Sequence, residues 1–361
     1  MRPKDHPDLR FDVIPKLYDV HFKVFITSLC HVQEQLHLLP RRFCGMYTTR
    51  PLANQLFVNL KNRNANIKEK DFHLVEECEP FSLILSDGKR LEAMFCSGSH
   101  LGNSLILFIR RQQGGKLLYC YSAARLENLG ALLGNRIFNS WISEGTDQLY
   151  LNLSSVNFPF EHVDFDEVAK TIEEYGKKRN NSVVHLDVPF FGYEEMLWLL
   201  AHTRLRGHIR LDDKLADSYK CLSDDLERFQ QKDYVTRMHV GGSLGDAKPA
   251  YHPRKVVSLD IKLFKWSPKP TRMHLRQLCS LLRPEHIQAI VNFHSDGVVP
   301  PIPSFLKVFK PNYLPPIDYA TAFNDLGFSQ ERVERQGPFR EVRTKNRCQF
   351  LDDGDESSCS D

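Results

Sequence analysis

The feature that most constrains the fold of this chain is a change of rhythm near Leu149. Beyond this residue, apolar runs of strand length alternate with amphipathic segments of helical period. The strands are predicted at 148–153, 182–187 and 256–264, and the helices at 164–175, 193–202 and 273–282. Strands that alternate with helices in this way favour parallel pairing, with the helices covering the sheet. The sequence therefore predicts an α/β fold.

The first third of the chain has a different pattern, in which short strands are separated by turns. The strands are predicted at 20–26, 81–85, 105–110 and 117–121, with a hairpin signal at Asp87-Gly88. Leu52, Leu56 and Leu60 recur every four residues, as expected of an amphipathic helix over 49–61. This part is predicted to form a meandering sheet with a helix laid on it.

Composition excludes several classes of protein. The chain is 42% hydrophobic and 26% charged, which is typical of globular proteins. Its longest apolar stretches fall short of the roughly 20 residues that cross a bilayer, and no apolar segment follows Met1, so neither a membrane span nor a secretory signal is predicted. Nine cysteines without a Cys-x-x-Cys spacing indicate reduced thiols rather than a disulfide framework or a zinc ribbon.

Charge is distributed unevenly along the chain. The net charge is +3, yet the last ten residues, 352–361, hold five acidic groups and no basic one, so the chain before them carries +8. A body this basic is compatible with a polyanionic partner. Lys177, Lys178 and Arg179 form the densest basic run, which is either a nuclear signal or a solvated helix end. The polar segment 316–361 is predicted to be a tail, disordered from 352.

Several segments occur in the order that is typical of one nuclease family. Residues 28–34 follow a strand, as the metal motif Ser-His-x-His-x-Asp-His does, and residues 99–104 precede an apolar strand, as Gly-His-Cys-Pro-Gly-Ser does. Residues 119–125 resemble the Tyr-Thr-Gly-Asp-Phe-Arg segment, and residues 266–271 resemble Tyr-Ser-Glu-His-Ser-Ser. Over roughly 11–308 the chain thus resembles the DNA cross-link repair nucleases, the metallo-β-lactamase/β-CASP group that includes Artemis and Apollo.

The resemblance implies a fold and its divisions. The implied fold is an α/β architecture, the αββα sandwich of the metallo-β-lactamases, interrupted by an inserted β-CASP domain with a parallel sheet. The first part of the sandwich is expected at 1–155, the β-CASP domain at 156–254 and the returning part of the metallo-β-lactamase/DNA-repair domain at 255–315.

Most of the family's metal-ligand positions hold other residues here. These positions hold Leu29, Gln33, Ser122, Asn152 and Lys269. Two-metal phosphodiester hydrolysis needs metals about 3.5 to 4 Å apart, and an anionic oxygen must lie between them, which Ser122 cannot supply. Leu29 offers no lone pair, and Gln33 is neutral. The metal-dependent 5′→3′ exodeoxyribonuclease activity of the family is therefore predicted to be weak or lost.

Two histidines of the family motifs are retained, as His31 and His100, and Glu34 stands where the first motif ends. Two imidazoles and a carboxylate can bind one zinc ion, so one interpretation is a single-zinc site. The other interpretation is that both histidines are hydrogen-bonded side chains in an empty cleft. Lys269 either attracts a phosphate or points to solvent.

The resemblance also implies a nuclear protein that acts on DNA ends or single strands. Its implied processes are interstrand cross-link repair, double-strand-break repair and telomere protection, with DNA-repair or telomere proteins as partners. One hypothesis is a DNA-end or DNA-damage binding protein without nuclease activity, a second is an active exonuclease with a single metal, and a third is a protein-interaction module. The candidate DNA contacts lie near the motif loops or in basic clusters and are Ser104, Arg110, Arg111, Arg125, Lys177, Lys178, Arg179, Lys269 and Arg272.

Overall fold

The computed structural model describes residues 1–3, 6–33, 36, 39–111, 115–143, 145–158, 163–179, 182–222, 236–242, 255–291 and 299–311. These residues belong to one compact unit. Glu34 and the predicted tail at 316–361 lie outside them.

Four short parallel strands form the first sheet. In sheet order they are β1 Leu9–Phe11, β2 Lys23–Phe25, β3 Met46–Thr48 and β4 Phe72–Leu74. Helix α1, Leu29–Gln33, follows β2, and helix α2, Arg50–Asn62, follows β3. Parallel neighbours need crossover connections of about a dozen residues or more, and the long connections between these strands meet that need. The prediction of a meandering sheet is therefore wrong for the chain up to Leu74.

The second sheet has six strands and contains the meander. In sheet order they are β14 Pro284–Ala289, β9 Thr146–Leu151, β8 Lys116–Cys120, β7 Leu105–Arg111, β6 Arg90–Ser97 and β5 Phe81–Ile84. Strands β5 to β8 pair antiparallel, whereas β8, β9 and β14 run parallel. The predicted helix end at Arg283-Pro284 is confirmed, and Pro284 also opens β14.

Both faces of the second sheet are buried. Along β7, Leu105 and Leu107 pack in the core shared with the first sheet, whereas Ile106 and Phe108 pack in a core shared with helices. Those helices are α3 Leu126–Leu133, α4 Arg136–Ser143, α8 Arg272–Leu282 and α9 Ser304–Lys307. A strand buried on both faces is a continuous apolar run, which explains why β7 was predicted well. The predicted α/β class is confirmed.

A third sheet has a core of its own. Its four parallel strands, in sheet order, are β11 Ile209–Leu211, β12 Met238–Val240, β10 Val183–Leu186 and β13 Val256–Leu259. Its core includes residues of helices α5 Phe165–Lys177, α6 Glu194–Ala201 and α7 Asp213–Tyr219. Strand β13 belongs to this sheet and lies in the part of the chain after residue 254.

Two 3-10 helical turns complete the described elements, one at Glu69–Asp71 before β4 and one at Ile261–Phe264 after β13. Within the described ranges, every helix is too short or too polar to cross a membrane.

Candidate functional site

A buried aspartate organises the chain at the carboxyl end of the first sheet. Asp12 follows β1, and its carboxylate accepts hydrogen bonds from the Thr27 backbone N–H at 2.5 Å, the Thr27 hydroxyl at 2.7 Å and the Ser28 backbone N–H at 3.1 Å. Burial raises the pKa of Asp12, and the bonds from Thr27 and Ser28 oppose that rise. Asp12 thereby fixes the turn that carries Ser28 away from β2.

Next to this turn lies a small cavity, here called the pit, which is lined by residues of several segments that the resemblance singled out. Its lining consists of Cys30, Ser99, Asn103, Ser104, Ser122, Ala123, Arg125, Gly192, Glu195, Trp266 and Pro268. The pit has a volume of 20 Å³, and one water molecule needs about 10 to 15 Å³. The Ser122 hydroxyl donates a hydrogen bond to the Ser28 hydroxyl at 2.6 Å. The pit therefore has room for about one water molecule.

The chemistry of the pit does not suit a divalent cation. Burial raises the pKa of the Cys30 thiol to about 12, and Glu194 contributes to the rise, so the sulfur stays protonated at neutral pH. The acid in the lining, Glu195, pairs with Arg125 at 2.8 Å, and the positive charge of Lys269 also acts on Cys30. Zinc binds thiolate, imidazole or carboxylate. In the described part of the chain, no group of three such side chains is placed to hold a metal.

The two retained histidines lie in different surroundings. His31, on α1, is buried, and its ring stacks on that of Tyr121 with 4.4 Å between the ring centroids. His100 is exposed, and its ring packs against Trp198 at 4.5 Å. Neither histidine is part of the pit lining, and Glu34 lies outside the described residues. The zinc ion therefore stays a prediction from the resemblance.

Three further positions at which the family would hold ligands have structural contacts here. Leu29 is buried in the core between the first two sheets. The Gln33 side-chain oxygen accepts a hydrogen bond from the Phe191 backbone N–H at 3.1 Å. The Asn152 side-chain oxygen accepts bonds from the backbone N–H and the hydroxyl of Ser154, at 3.0 and 2.8 Å. All three side chains therefore have packing or hydrogen-bonding contacts within the fold.

A larger cleft adjoins the pit and shares Arg125, Glu195 and Trp266 with it. The cleft has a volume of 710 Å³ and is bordered by residues of α3, α5, α6 and α8. Its wall is rich in rings, from His100, Phe158, Phe165, Trp198, Trp266 and His274. The Lys265 side chain is exposed and also lines the cleft. The cleft thus offers aromatic rings beside two cations, Arg125 and Lys265, and two carboxylates, Glu127 and Glu195.

Arg125 connects the walls of the two cavities. Its guanidinium donates to Glu195 at 2.8 Å and to the Ser267 carbonyl oxygen at 3.3 Å, and it lies over the Trp266 ring at 4.8 Å from the ring centroid. Burial and, to a lesser extent, the positive charge of Arg125 lower the pKa of His274 to about 4, so His274 is neutral at physiological pH. Arg125, predicted as a DNA contact, is engaged in internal contacts.

Seven other residues that were predicted to contact DNA have side chains that contact a neighbouring residue of this chain. The neighbours are Glu173 for Lys177, Glu174 for Lys178, the Tyr175 ring for Arg179, the Phe305 ring for Arg272, Glu92 for Arg110, His6 for Arg111 and the Ala123 carbonyl for Ser104. Lys177 and Lys178 remain mostly exposed. Surface ion pairs are worth about 0 to 1 kcal/mol, so these lysines are still able to meet a phosphate.

Sequence reasoning did not assign a role to Asp12, Cys30 or Ser99. Cys30 and Ser99 each stand one residue before a histidine that was singled out, His31 and His100. Cys30 lies on α1, where successive side chains point about 100° apart, so an error of one residue in that motif's register changes which side chain faces the pit. For Asp12 the signal was a single acid directly after an apolar strand.

Comparison with known proteins gives little further information. No family model matches the chain, and no curated protein matches it. Among solved structures, the chain is similar to a protein of unknown function from Enterococcus faecalis V583, with 12% identity, a TM-score of 0.48 and 75% of each chain covered. It is also similar to an isothiocyanate hydrolase from Delia radicum gut bacteria, with 11% identity, a TM-score of 0.24, and 45% of this chain and 60% of that chain covered. Both scores are too low to carry an argument.

Proposed function

We propose that this chain is a nuclear DNA-binding protein that recognises DNA ends or single strands, with the metallo-β-lactamase/β-CASP fold and without nuclease activity. Two observations support this fold. Two sheets face each other, with helices on the outer side of one of them, and a parallel sheet is inserted in the chain between β9 and β14. Its expected roles are interstrand cross-link repair, double-strand-break repair or telomere protection, beside DNA-repair or telomere proteins.

The observation that carries the proposal is the aromatic wall of the cleft. Trp198 and Trp266 are half-buried, with part of each side chain open to the cleft. Every nucleic-acid base has a π face, and stacking of a base on an aromatic side chain is worth about 1 to 3 kcal/mol in single-strand binding. A volume of 710 Å³ is large enough for unstacked bases.

The loss of nuclease activity is supported by the pit. Hydrolysis requires an activated water and a stabilised leaving oxygen, which the family obtains from its metals. Here the pit holds a protonated Cys30, neutral serines and an acid already paired with Arg125. Its volume of 20 Å³ is too small to enclose a phosphodiester.

Tryptophan fluorescence tests the proposal directly, because two of the three tryptophans line the cleft and the third, Trp141, is buried elsewhere. We expect a 5′-phosphorylated single strand to quench the emission of the full-length protein. In Trp198→Phe/Trp266→Phe the quenching should disappear while binding, followed by fluorescence anisotropy of a labelled strand, persists.

Affinity provides the second measurement. Trp198→Ala should weaken single-strand binding about tenfold, because one stacking contact is lost. Phe57→Ala is the matched control, since this ring is also half-buried but lies on α2 outside the cleft. If both alanine variants bind like the original protein, or if no strand binds at all, the proposal is wrong.

A digestion assay separates the binding protein from the enzyme. With zinc or magnesium added, we expect the strand to keep its length. Shortening of the strand that His100→Ala abolishes would instead support the exonuclease with a single-metal site.

A further inference from the structure

A third cavity lies at the amino end of the first sheet, opposite the pit. It has a volume of 430 Å³. Arg41 and Arg42 reach it from the segment that leads into β3, and Lys68 and Lys70 reach it from the segment that leads into β4. Because the strands are parallel, these two segments meet at the same edge of the sheet. Four cationic side chains therefore line one concave surface, here called the basic pocket.

The charges of the basic pocket are not neutralised within the fold. Among the described residues, no carboxylate forms an ion pair with Arg41, Arg42, Lys68 or Lys70. The acid in the lining is Asp71, whose carboxylate accepts a hydrogen bond from the Lys68 backbone N–H at 2.9 Å. Four cations and one carboxylate leave an excess of three positive charges. Such an excess in one cavity favours a ligand with several negative charges.

The floor and one wall of the pocket are held by rings. The His73 ring lies directly against Gly45, since a Cβ at this glycine would fall 2.5 Å from His73 Nε2. That ring also stacks on Tyr47, with 4.6 Å between the centroids. Burial lowers the pKa of His73, and the positive charge of Lys23 lowers it further, so the imidazole is a neutral hydrogen-bonding group. The pocket is a built concavity rather than a flat stripe of surface charge.

The wall is completed by Arg42, whose guanidinium lies over the Tyr18 ring at 3.7 Å from the ring centroid. Stacking on an aromatic face restricts the orientation of a guanidinium, and a fixed guanidinium fork matches two phosphate oxygens at once. Lysine ammonium groups bind phosphate as mobile point charges. The pocket thus combines one oriented donor with several adaptable ones.

We infer that the basic pocket binds a small ligand with two or more phosphate groups. Its volume lies within the roughly 300 to 1,000 Å³ of small-molecule sites. A nucleoside triphosphate and an inositol polyphosphate share the required chemistry. An extended nucleic-acid strand fits less well. Proteins bind such strands in elongated basic grooves, whereas these cations converge on one cavity. The inference is independent of the DNA-binding function proposed above.

Titration calorimetry of the full-length protein tests the inference with three probes: inorganic tripolyphosphate, ATP and inositol hexakisphosphate. Arg42→Ala/Lys68→Ala should weaken the binding of tripolyphosphate at least about tenfold, since two charge-assisted contacts are lost. Lys89→Ala/Lys220→Ala removes the same net charge from exposed lysines outside the pocket and should leave the affinity within about twofold. ATP binding tighter than tripolyphosphate would identify a nucleotide site, and tighter inositol hexakisphosphate an inositol polyphosphate site.

Three results would overturn the inference. The first is the absence of measurable binding by all three probes, and the second is an equal loss of affinity in both double variants, which indicates non-specific attraction. The third is binding of single-stranded DNA that requires Arg42 and Lys68, together with no binding of the small probes. Because the four substituted residues, Arg42, Lys68, Lys89 and Lys220, are all exposed, we expect both double variants to melt near the original temperature. Arg41→Gln/Lys70→Gln provides a second variant of the pocket if the first one does not fold.

Discussion

The two ends of the first sheet differ in charge, burial and openness. At the carboxyl end, Asp12 is fully buried and hydrogen-bonded, and the pit beside it has a volume of 20 Å³. At the amino end, the exposed side chains of Arg41, Arg42, Lys68 and Lys70 line a cavity of 430 Å³. The same four strands thus have one closed, nearly neutral end and one open, charged end.

This difference shows how polar groups divide between stability and binding. A buried polar group that loses its partner costs about 1 to 3 kcal/mol, whereas substitutions of exposed side chains usually change stability by no more than about 0.5 kcal/mol. The closed end therefore contributes to the stability of the fold and has little capacity left for a ligand. The open end contributes little to stability, so its side chains are available for binding.

The largest effect should come from Asp12→Ala at the closed end. The variant leaves the buried N–H groups of Thr27 and Ser28 without their acceptor, and we expect a loss of about 4 kcal/mol in the free energy of unfolding, measured by urea denaturation. Asp12→Asn retains an oxygen acceptor and should lose less than half as much. If Asp12→Ala costs less than about 1 kcal/mol, the contrast between the two ends disappears.

The pH dependence of the free energy of unfolding should also arise from a residue at the closed end. Glu194, fully buried near Cys30, accepts hydrogen bonds from Gly192 N–H and Gln55, and burial raises its pKa from 4.5 to about 7. In the unfolded chain this acid ionises above its ordinary pKa, whereas in the folded chain it stays protonated until about pH 7. Folding is therefore penalised progressively between these two values, by about 3 kcal/mol once pH exceeds 7.

The measurement is the free energy of unfolding at a series of pH values from 4 to 8. We expect stability to fall as pH rises through this window in the original protein and in Arg42→Ala/Lys68→Ala. Glu194→Gln cannot ionise, so its profile should be flatter. A profile that Glu194→Gln leaves equally steep would show that another group controls the titration.

A smaller effect is expected from the tight packing behind the pit. A Cβ at Gly192 would overlap the Cys30 sulfur, and the backbone there has a φ of 103°. Gly88 is the matched control, because its φ is 78° and a Cβ there meets nothing within 4 Å. Both positions impose backbone strain on alanine, so Gly192→Ala should cost about 2 kcal/mol more than Gly88→Ala in thermal or chemical unfolding.

A second substitution tests whether the Cys30 sulfur causes the difference between the two glycine variants. Cys30→Ala removes the sulfur that a Cβ at 192 would meet, so it should restore part of the stability lost in Gly192→Ala but nothing of that lost in Gly88→Ala. Equal costs for the two glycine variants would mean that the pit is not tightly packed.

Elements with a clear period were predictable from the sequence. Helix α2 follows from the recurrence of Leu52, Leu56 and Leu60, and β7 and β8 follow from apolar runs on either side of a turn. The first sheet was not predictable in its topology, because strands of three residues such as β1 and β3 are too short to show alternation. Their parallel pairing requires long connections between the strands. A local sequence pattern does not reveal this pairing.

The site was predictable only in its neighbourhood. Three segments singled out in the sequence, 28–33, 99–104 and 119–125, include residues that line the pit or form a hydrogen bond with its lining. The sequence did not indicate which side chains face the pit, because a shift of one residue in the motif alignment changes the side chain that faces inward. The basic pocket was not predictable either, since Arg41-Arg42 and Lys68-Lys70 are weak charge clusters that only the pairing of β3 with β4 brings together.

The position of β14 has a consequence for synthesis of the chain. This strand pairs with β9, yet all strands of the third sheet are made between the two. On the ribosome, β9 therefore waits with an open edge, whose unpaired N–H and C=O groups can recruit strands from other molecules. The second sheet reaches its native order only after Ala289 has emerged, so a nascent chain stalled before Pro284 should be a substrate for chaperones and prone to aggregation.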